Sequence, residues 1–171
     1  ADRILPAFDH EISDAFLKIL KKSGLKFHLS HKVVGGAHSG NNVKLITENI
    51  KDNNNKVEFN GDYVLIATGR KPFTYNLGLD KLAIETDRLG RIPVDKHLQT
   101  KVPGVYAIGD VIEGPMLAHK GEEEGVAVVE YIADGHSHVN YHSIPNVVYT
   151  HPELAYVGYT EEEIKAKGNI L

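Results

Sequence analysis

Cysteine is absent from the 171-residue sequence. Its absence excludes disulfide bonds, thiolate metal sites and a cysteine nucleophile within this chain. Long apolar runs are missing as well. The longest, residues 63–67 (YVLIA), has the length of a strand, whereas a transmembrane helix needs about 20 apolar residues. We therefore expect no membrane partner and no thiol chemistry from this chain.

Clustered positive charge is also lacking. The formal net charge is −4, and the 19 lysine and arginine residues are spread along the chain. Nucleic-acid binding needs concentrated basic charge to neutralise phosphates, so no nucleic-acid partner is expected. Hydrophobic residues make up 42% of the sequence and charged residues 25%, which is the usual balance of a globular protein with a buried core.

Ten histidines raise the question of a metal site. The densest group, His136, His138 and His142, lies among glycine, asparagine and serine residues, which indicates a loop. Without a cysteine or carboxylate partner, these histidines are better interpreted as solvated loop residues than as zinc ligands. No metal site is predicted.

The order of predicted elements is mixed α and β. Asp9 can cap a helix that ends at Gly24, residues 117–133 have helical periodicity, and Thr160 can cap a last short helix. Strands are predicted at residues 25–29, 32–36, 63–67, 92–94, 105–108, 145–150 and 155–158, and as an antiparallel pair at 43–50 and 56–60 around the polar turn 51–55.

The run 63–67 is apolar at every position, which is typical of a strand covered on both faces in a parallel sheet. These patterns indicate an α/β fold. Because such a sheet needs strands before the helix that follows Asp9, we expect the chain to be one piece of a larger fold.

Two predicted strands end in glycine. Gly69 follows residues 63–67, and Gly109 with Asp110 follows residues 105–108. Ligands of α/β sheets bind beyond the carboxyl ends of strands, and glycine permits close approach. Gly69 alone is a weak signal, because Thr-Gly after a strand is usually just a turn. Asp110 could accept hydrogen bonds from sugar or ribityl hydroxyls, or it could cap the following loop.

A third feature is the start of the helix within GPMLAHK, residues 114–120. The first turn of a helix presents unpaired N–H groups and a partial positive charge, which suit an anionic or electron-rich group such as a flavin ring. Met116 and Leu117 could also serve only in core packing. The glycine-rich residues 35–40 (GGAHSG) are not a phosphate loop, because a strand rather than a helix follows them.

The segments TGRKP, VYAIGD, GPMLAHK, EEEG and YTHPELAYVG occur in this order along nearly the whole chain. Together they resemble the dihydrolipoamide dehydrogenases, a branch of the flavin- and disulfide-dependent pyridine nucleotide oxidoreductases. TGR and GD are shared across that superfamily, whereas MLAHK, EEEG and THPE in succession are narrower. Glutathione and mercuric reductases, which differ after GD, are the alternative within the superfamily.

The resemblance implies a set of cofactor-binding residues. Asp110 would bind the ribityl chain of FAD, with Gly109 beside it. His119 would contribute to the flavin pocket structurally, since the family's catalytic histidine is a different residue outside this chain. Gly121 departs from the family's usual alanine. The implied FAD residues are Gly109, Asp110, Met116, Leu117, Ala118 and His119, and the implied NAD residues are Gly69 and Val33.

The resemblance also implies fold and activity. Residues 1–70 would end a Rossmann-like NAD domain, residues 71–140 would end a similar FAD domain, and residues 141–171 would begin an α+β interface domain that forms a homodimer. The enzyme would oxidise dihydrolipoamide of lipoyl domains through a redox disulfide and FAD and reduce NAD+ to NADH. It would work within 2-oxo acid dehydrogenase complexes, in the mitochondrial matrix, or in the cytoplasm if bacterial.

Several parts of such an enzyme are not in this sequence. The glycine fingerprints that bind dinucleotides, the redox cysteine pair and the catalytic histidine with its glutamate would all lie outside it. We therefore expect the 171-residue chain to be inactive by itself. The alternative is a folded piece that acts only by binding.

Overall fold

The computed structural model describes residues 1–168, and within them the chain forms two compact units. The first unit comprises Ala1–Ala67 with residues 159–168, and the second comprises Thr68–Gly158. The helices are α1 (His10–Lys22), α2 (Ala118–Asp134) and α3 (Glu161–Ala166), and the strands are β1 (His31–Ser39), β2 (Asn42–Asn49), β3 (Asp52–Gly61), β4 (Asn146–Val148) and β5 (Leu154–Tyr156).

The first unit confirms both predicted helix starts. The Asp9 side chain accepts a hydrogen bond from the N–H of Glu11 at the start of α1, which ends just before Ser23 and Gly24. At α3, Thr160 and Glu163 form a reciprocal capping box. Each cap satisfies N–H groups that have no partner inside the helix.

The sheet of the first unit is antiparallel in the order β1-β2-β3. This confirms the predicted antiparallel pair and places residues 32–36 in β1. The turn is tighter than predicted, because the Asn49 side chain accepts from the N–H of Lys51 and Asp52 already pairs with Asn49. Residues 35–40 lie in β1 and its turn, which agrees with their rejection as a phosphate loop.

Two strand predictions in the first unit are wrong. Residues 25–29 form no strand; the N–H of Leu25 instead bonds the carbonyl of Leu20 and closes the end of α1. Residues 63–67 also form no strand, and the Leu65 side chain is 90% exposed. An apolar run becomes a buried strand only beside other strands, and within residues 1–168 none pairs with this one.

The second unit has its core in extended loops rather than in a sheet. The core residues are Ile84, Ile92, Leu98, Ala107 and Ile112. The strands predicted at 92–94 and 105–108 are wrong. This region forms no ladder of paired strands and has a single isolated bridge, between Gln99 and Tyr106. Other backbone hydrogen bonds of this region occur one at a time. For example, the N–H of Ile92 donates to the carbonyl of Val111 at 2.8 Å. Both segments nevertheless contribute buried apolar side chains, as the sequence pattern indicates.

Helix α2 and the β4–β5 pair confirm the remaining predictions for the second unit. Helix α2 begins one residue later than predicted and ends at Gly135, whose φ of 79° is the left-handed conformation that glycine tolerates. β4 and β5 are antiparallel and shorter than the predicted segments. None of the helices in residues 1–168 has the length and apolar character that crossing a membrane requires.

The core of the second unit can be tested at Ile112, which is 2% exposed. We expect Ile112→Ala to lower the free energy of unfolding by about 2–5 kcal/mol, because it leaves a cavity in a packed core. The matched control is Leu89→Ala, at a leucine that is 58% exposed, for which we expect a change within about 0.5 kcal/mol. Urea unfolding followed by circular dichroism measures both, and equal losses would contradict this core assignment.

Candidate functional site

The site begins at Gly109, the first residue of a 3-10 helix, Gly109–Val111, that follows an extended Ile108. Gly109 has a φ of 72°, which favours glycine. It packs against the first turn of α2 so closely that a Cβ built on Gly121 would lie 3.4 Å from the Gly109 Cα. The loop that carries Asp110 is therefore seated directly on α2.

A buried ion pair holds this loop. Lys120 and Glu124, one turn apart on α2, are both fully buried, and Lys120 Nζ lies 2.8 Å from Glu124 Oε1. Lys120 Nζ also donates to the carbonyl of Gly109 at 3.1 Å, and the N–H of Gly109 donates to Glu124 Oε2 at 2.7 Å. Both polar groups of Gly109 are thus bound by side chains of one helix.

Tyr141, in the segment that follows α2, completes the network. Its hydroxyl donates to Glu124 Oε1 at 3.0 Å. Burial of the phenol, followed by the hydrogen bond to Glu124 and the charge of that carboxylate, raises the pKa of Tyr141 to about 12. Glu124 therefore accepts from a lysine, a backbone N–H and a tyrosine, which is the satisfaction that a buried carboxylate requires.

Sequence reasoning missed Lys120, Glu124 and Tyr141 as site residues. A lysine and a glutamate at i and i+4 lie on the same face of a helix, and that spacing is visible in the sequence. The spacing is nevertheless common on exposed helix surfaces. It does not by itself indicate a buried pair, and nothing local indicates the contribution of Tyr141.

Arg70 links Asp110 to the start of α2. Its guanidinium donates to Asp110 Oδ2 at 3.1 Å and to the carbonyl of Met116. The side chains of Arg70 and Asp110 are 63% and 42% exposed, so the pair is weak in water and an incoming donor can share the carboxylate. The structure thereby brings together the two parts of the predicted FAD site.

The start of α2 has no side-chain cap. Leu117 occupies the N-cap, and its side chain has no acceptor atom, so the first N–H groups of the helix remain available to a ligand or to water. Ala118, the first helical residue, is exposed and small. His119 donates from Nε2 to the carbonyl of Pro145 at 2.7 Å, which orients its ring. That contact agrees with a structural contribution of His119.

The predicted NAD residues belong to different units. Gly69 lies in the second unit with a φ of 95° and open space where a side chain would stand. Val33 is exposed on β1 of the first unit. Their participation in one NAD site stays a prediction.

Within residues 1–168, possible metal-ligand atoms converge only at Asp9, Glu161 and Glu162. Two of these carboxylates serve helix ends, and the third, Glu161, pairs with Lys165 on α3. Asp9 Oδ2 accepts from the N–H of Glu161, and Glu162 Oε1 accepts from the N–H of His10. The group is therefore explained by mutual capping of α1 and α3.

Two family models match separate stretches of the chain. Residues 1–125 match a family model described as pyridine nucleotide-disulphide oxidoreductase, and residues 144–170 match the dimerisation domain of that description. A dihydrolipoyl dehydrogenase named as mitochondrial from Pisum sativum is 52% identical over 98% of this chain and 33% of its own length. A leghemoglobin reductase from Vigna unguiculata is 52% identical over 98% of this chain and 32% of its own length. The chain spans about a third of the length of these curated relatives.

Solved structures support the fold class. The HOCl-induced flavoprotein disulfide reductase RclA from Escherichia coli superposes with a TM-score of 0.85 and 28% identity, covering 98% of this chain and 38% of that chain. LpdA from Mycobacterium tuberculosis gives a TM-score of 0.82 at 25% identity, covering 99% of this chain and 36% of that chain. The predicted α/β fold class is thereby confirmed.

The two glycines that flank the buried lysine are expected to respond oppositely to alanine. Gly121→Ala should raise the free energy of unfolding by about 0.5–1 kcal/mol, because the new Cβ meets Gly109 at an ordinary contact distance and glycine weakens a helix. Gly114→Ala should lower it by about 1 kcal/mol or more, because its φ is 117° and its Cβ would lie 3.1 Å from Cε of the fully buried Lys120. Urea midpoints of the two variants test the pair, and shifts of the same sign would contradict it.

The raised pKa of Tyr141 predicts a pH dependence. Because the folded chain disfavours the phenolate, the contribution of Tyr141 to stability is complete below its ordinary pKa of 10.0 and is lost as the pH rises to about 12. Absorbance titration should detect one phenol near pH 12 that is missing in Tyr141→Phe. The free energy of unfolding should also fall more steeply over this range in the wild type. Superimposable curves for the two proteins would refute the hydrogen bond to Glu124.

Proposed function

Because the chain belongs to the pyridine nucleotide-disulphide oxidoreductase family, we propose that it forms part of the FAD and NAD sites of a dihydrolipoyl dehydrogenase. The observation that carries this proposal is the seating of Asp110 beside the uncapped start of α2, with Arg70 contacting both. Dihydrolipoyl dehydrogenases and their family use FAD and NAD. The proposal therefore rests on the match between a known cofactor and the groups available here.

The residues of this surface fit FAD. The half-exposed carboxylate of Asp110 is an acceptor for ribityl hydroxyls, and Gly109 leaves room for them because it has no side chain. The backbone N–H groups at the start of α2 and the side chains of Met116 and Leu117 would line the flavin ring, with Ala118 small enough for close approach. Bound flavin would supply the redox chemistry. The protein binds it, orients it and places partial positive charge at its edge.

The NAD site would include Gly69 and Val33. Gly69 follows the apolar residues 63–67, and its open backbone would lie against the dinucleotide. Val33 would pack near the adenine. For these residues the support comes from the family alone, and the domain borders near residues 70 and 140 are proposed on the same basis.

The proposed reaction is oxidation of dihydrolipoamide to lipoamide with reduction of NAD+ to NADH. It needs a redox disulfide, which a chain without cysteine does not supply. Residues 144–170 would contribute to a homodimer, in line with their match to a dimerisation domain. Lipoyl domains and 2-oxo acid dehydrogenase complexes would be the partners. The mitochondrial matrix is the proposed location, since relatives from plants and animals are named as mitochondrial.

A second candidate function is reduction of leghemoglobin. The relative of that name from Vigna unguiculata matches the chain as well as the dihydrolipoyl dehydrogenase from Pisum sativum does. Both functions would use the same flavin site and differ in the electron acceptor. The substrates of glutathione reductases and mercuric reductases are further alternative electron acceptors for the same flavin site.

FAD binding is tested on the complete product of the gene that encodes this chain. We expect Asp110→Ala to weaken FAD binding about tenfold or more, because a hydrogen bond to a charged group contributes about 1.5–3 kcal/mol. The control is Asp80→Ala, which removes an exposed carboxylate at another 3-10 helix. Equilibrium binding to the apoprotein, read from flavin fluorescence, measures the affinities. Equal affinity of both variants would refute the assignment of Asp110.

Turnover is tested with dihydrolipoamide and NAD+ on two proteins. We expect the complete gene product to form NADH and the 171-residue chain alone to form none, because the chain has no thiol to pass electrons to flavin. Oxidation of NADH by leghemoglobin, oxidised glutathione or Hg²⁺ serves as the comparison. A complete protein that is inactive with dihydrolipoamide and active with one of these would overturn the proposed substrate.

A further inference from the structure

We propose that the buried Lys120–Glu124 pair is a positioning device that sets the orientation of Asp110 toward flavin. The inference rests on the proposed function, since it concerns the same site. Neither side chain would touch the cofactor. Both would act through the backbone of Gly109, to which they are hydrogen-bonded on either side.

Burial of the Lys120–Glu124 pair has a free-energy cost. Two fully buried charges lose their hydration, and apolar residues of similar volume often stabilise a protein equally well or better. Packing of α2 therefore gives no reason for a lysine and a glutamate at these positions. What apolar residues could not do is bind the N–H and the carbonyl of Gly109.

The backbone of Gly109 would be free to rotate without the pair. The proposed site needs a residue without a side chain at position 109, and such a residue also has the widest backbone freedom. Its N–H and its carbonyl lie on opposite sides of its Cα, so holding both limits rotation about both backbone bonds. Asp110 is the next residue, and the direction of its side chain follows from the Gly109 backbone. The ion pair thus restricts the backbone of Gly109, which a side chain would otherwise do.

The Lys120–Glu124 pair is itself held in place by Gly114 and Tyr141. Gly114 lies over the aliphatic part of Lys120, where a Cβ would come within 3.1 Å of Cε. Tyr141 donates to Glu124 from a segment after α2. Both charged side chains are therefore confined, and they in turn confine the loop that carries Asp110. A pair that only stabilised the helix would not need contacts to this loop.

The test uses the complete gene product with bound FAD. In Lys120→Met/Glu124→Leu the pair is replaced by apolar residues, so α2 keeps a packed face while Gly109 loses both partners. In Glu124→Asp the charge remains but the carboxylate is one methylene too short to reach Gly109. Glu122→Gln, at an exposed position on the same helix, is the control. The readouts are the rate of FAD release, the visible circular dichroism of bound flavin, and the urea midpoint of the apoprotein.

We expect the double variant to release FAD about tenfold faster with altered flavin dichroism. Its apoprotein midpoint should fall, because the N–H and the carbonyl of Gly109 lose their partners, but the apoprotein should stay folded in buffer without urea. Glu124→Asp should change in the same direction, and Glu122→Gln should match the wild type. Wild-type release and dichroism in both variants would overturn the inference while leaving the proposed function intact. If the double variant does not fold, Glu124→Asp decides alone. A wild-type protein that holds no FAD would overturn the proposed function and this inference with it.

Discussion

The peptide groups of Gly109 are the point on which the candidate site depends. They belong to a loop pressed against α2, where a backbone N–H and a carbonyl need partners other than water. Glu124 and Lys120 supply these partners, and each charge is neutralised by the other at 2.8 Å. The loop at Gly109, helix α2 and the Lys120–Glu124 pair therefore depend on one another. A change in any of them alters the surroundings of Asp110.

The exposed surface around Asp110 carries both negative and positive groups. The carboxylate of Asp110 lies beside the positive end of α2, with the guanidinium of Arg70 between the carboxylate and the carbonyl of Met116. Because this pair is largely exposed, a ligand can compete for its hydrogen bonds at small cost. The buried Lys120–Glu124 pair holds the loop rigidly, and the exposed Arg70–Asp110 pair can exchange its hydrogen bonds. This combination suits a cofactor that carries several hydroxyl groups and a ring.

Predictions from the sequence succeeded where a structural feature depends on neighbouring residues. The caps at Asp9 and Thr160 and the hairpin of β2 and β3 are all local, and all are present. Predictions failed at residues 63–67 and 105–108. An apolar run there is compatible with a strand, but a strand forms only when another backbone lies alongside to complete its hydrogen bonds.

The sequence by itself determined the helix ends, the mixed α/β character and the order of motifs that indicate the family, because each depends on residue types at short spacing. It also identified Gly109, Asp110 and residues 116–119 as neighbours along the chain. Only the tertiary structure decided that Lys120 and Glu124 are buried beneath Gly109 and that Tyr141 bonds Glu124. The physical reason is that the same lysine–glutamate spacing suits a solvated helix face, and only packing of the loop onto α2 removes the water.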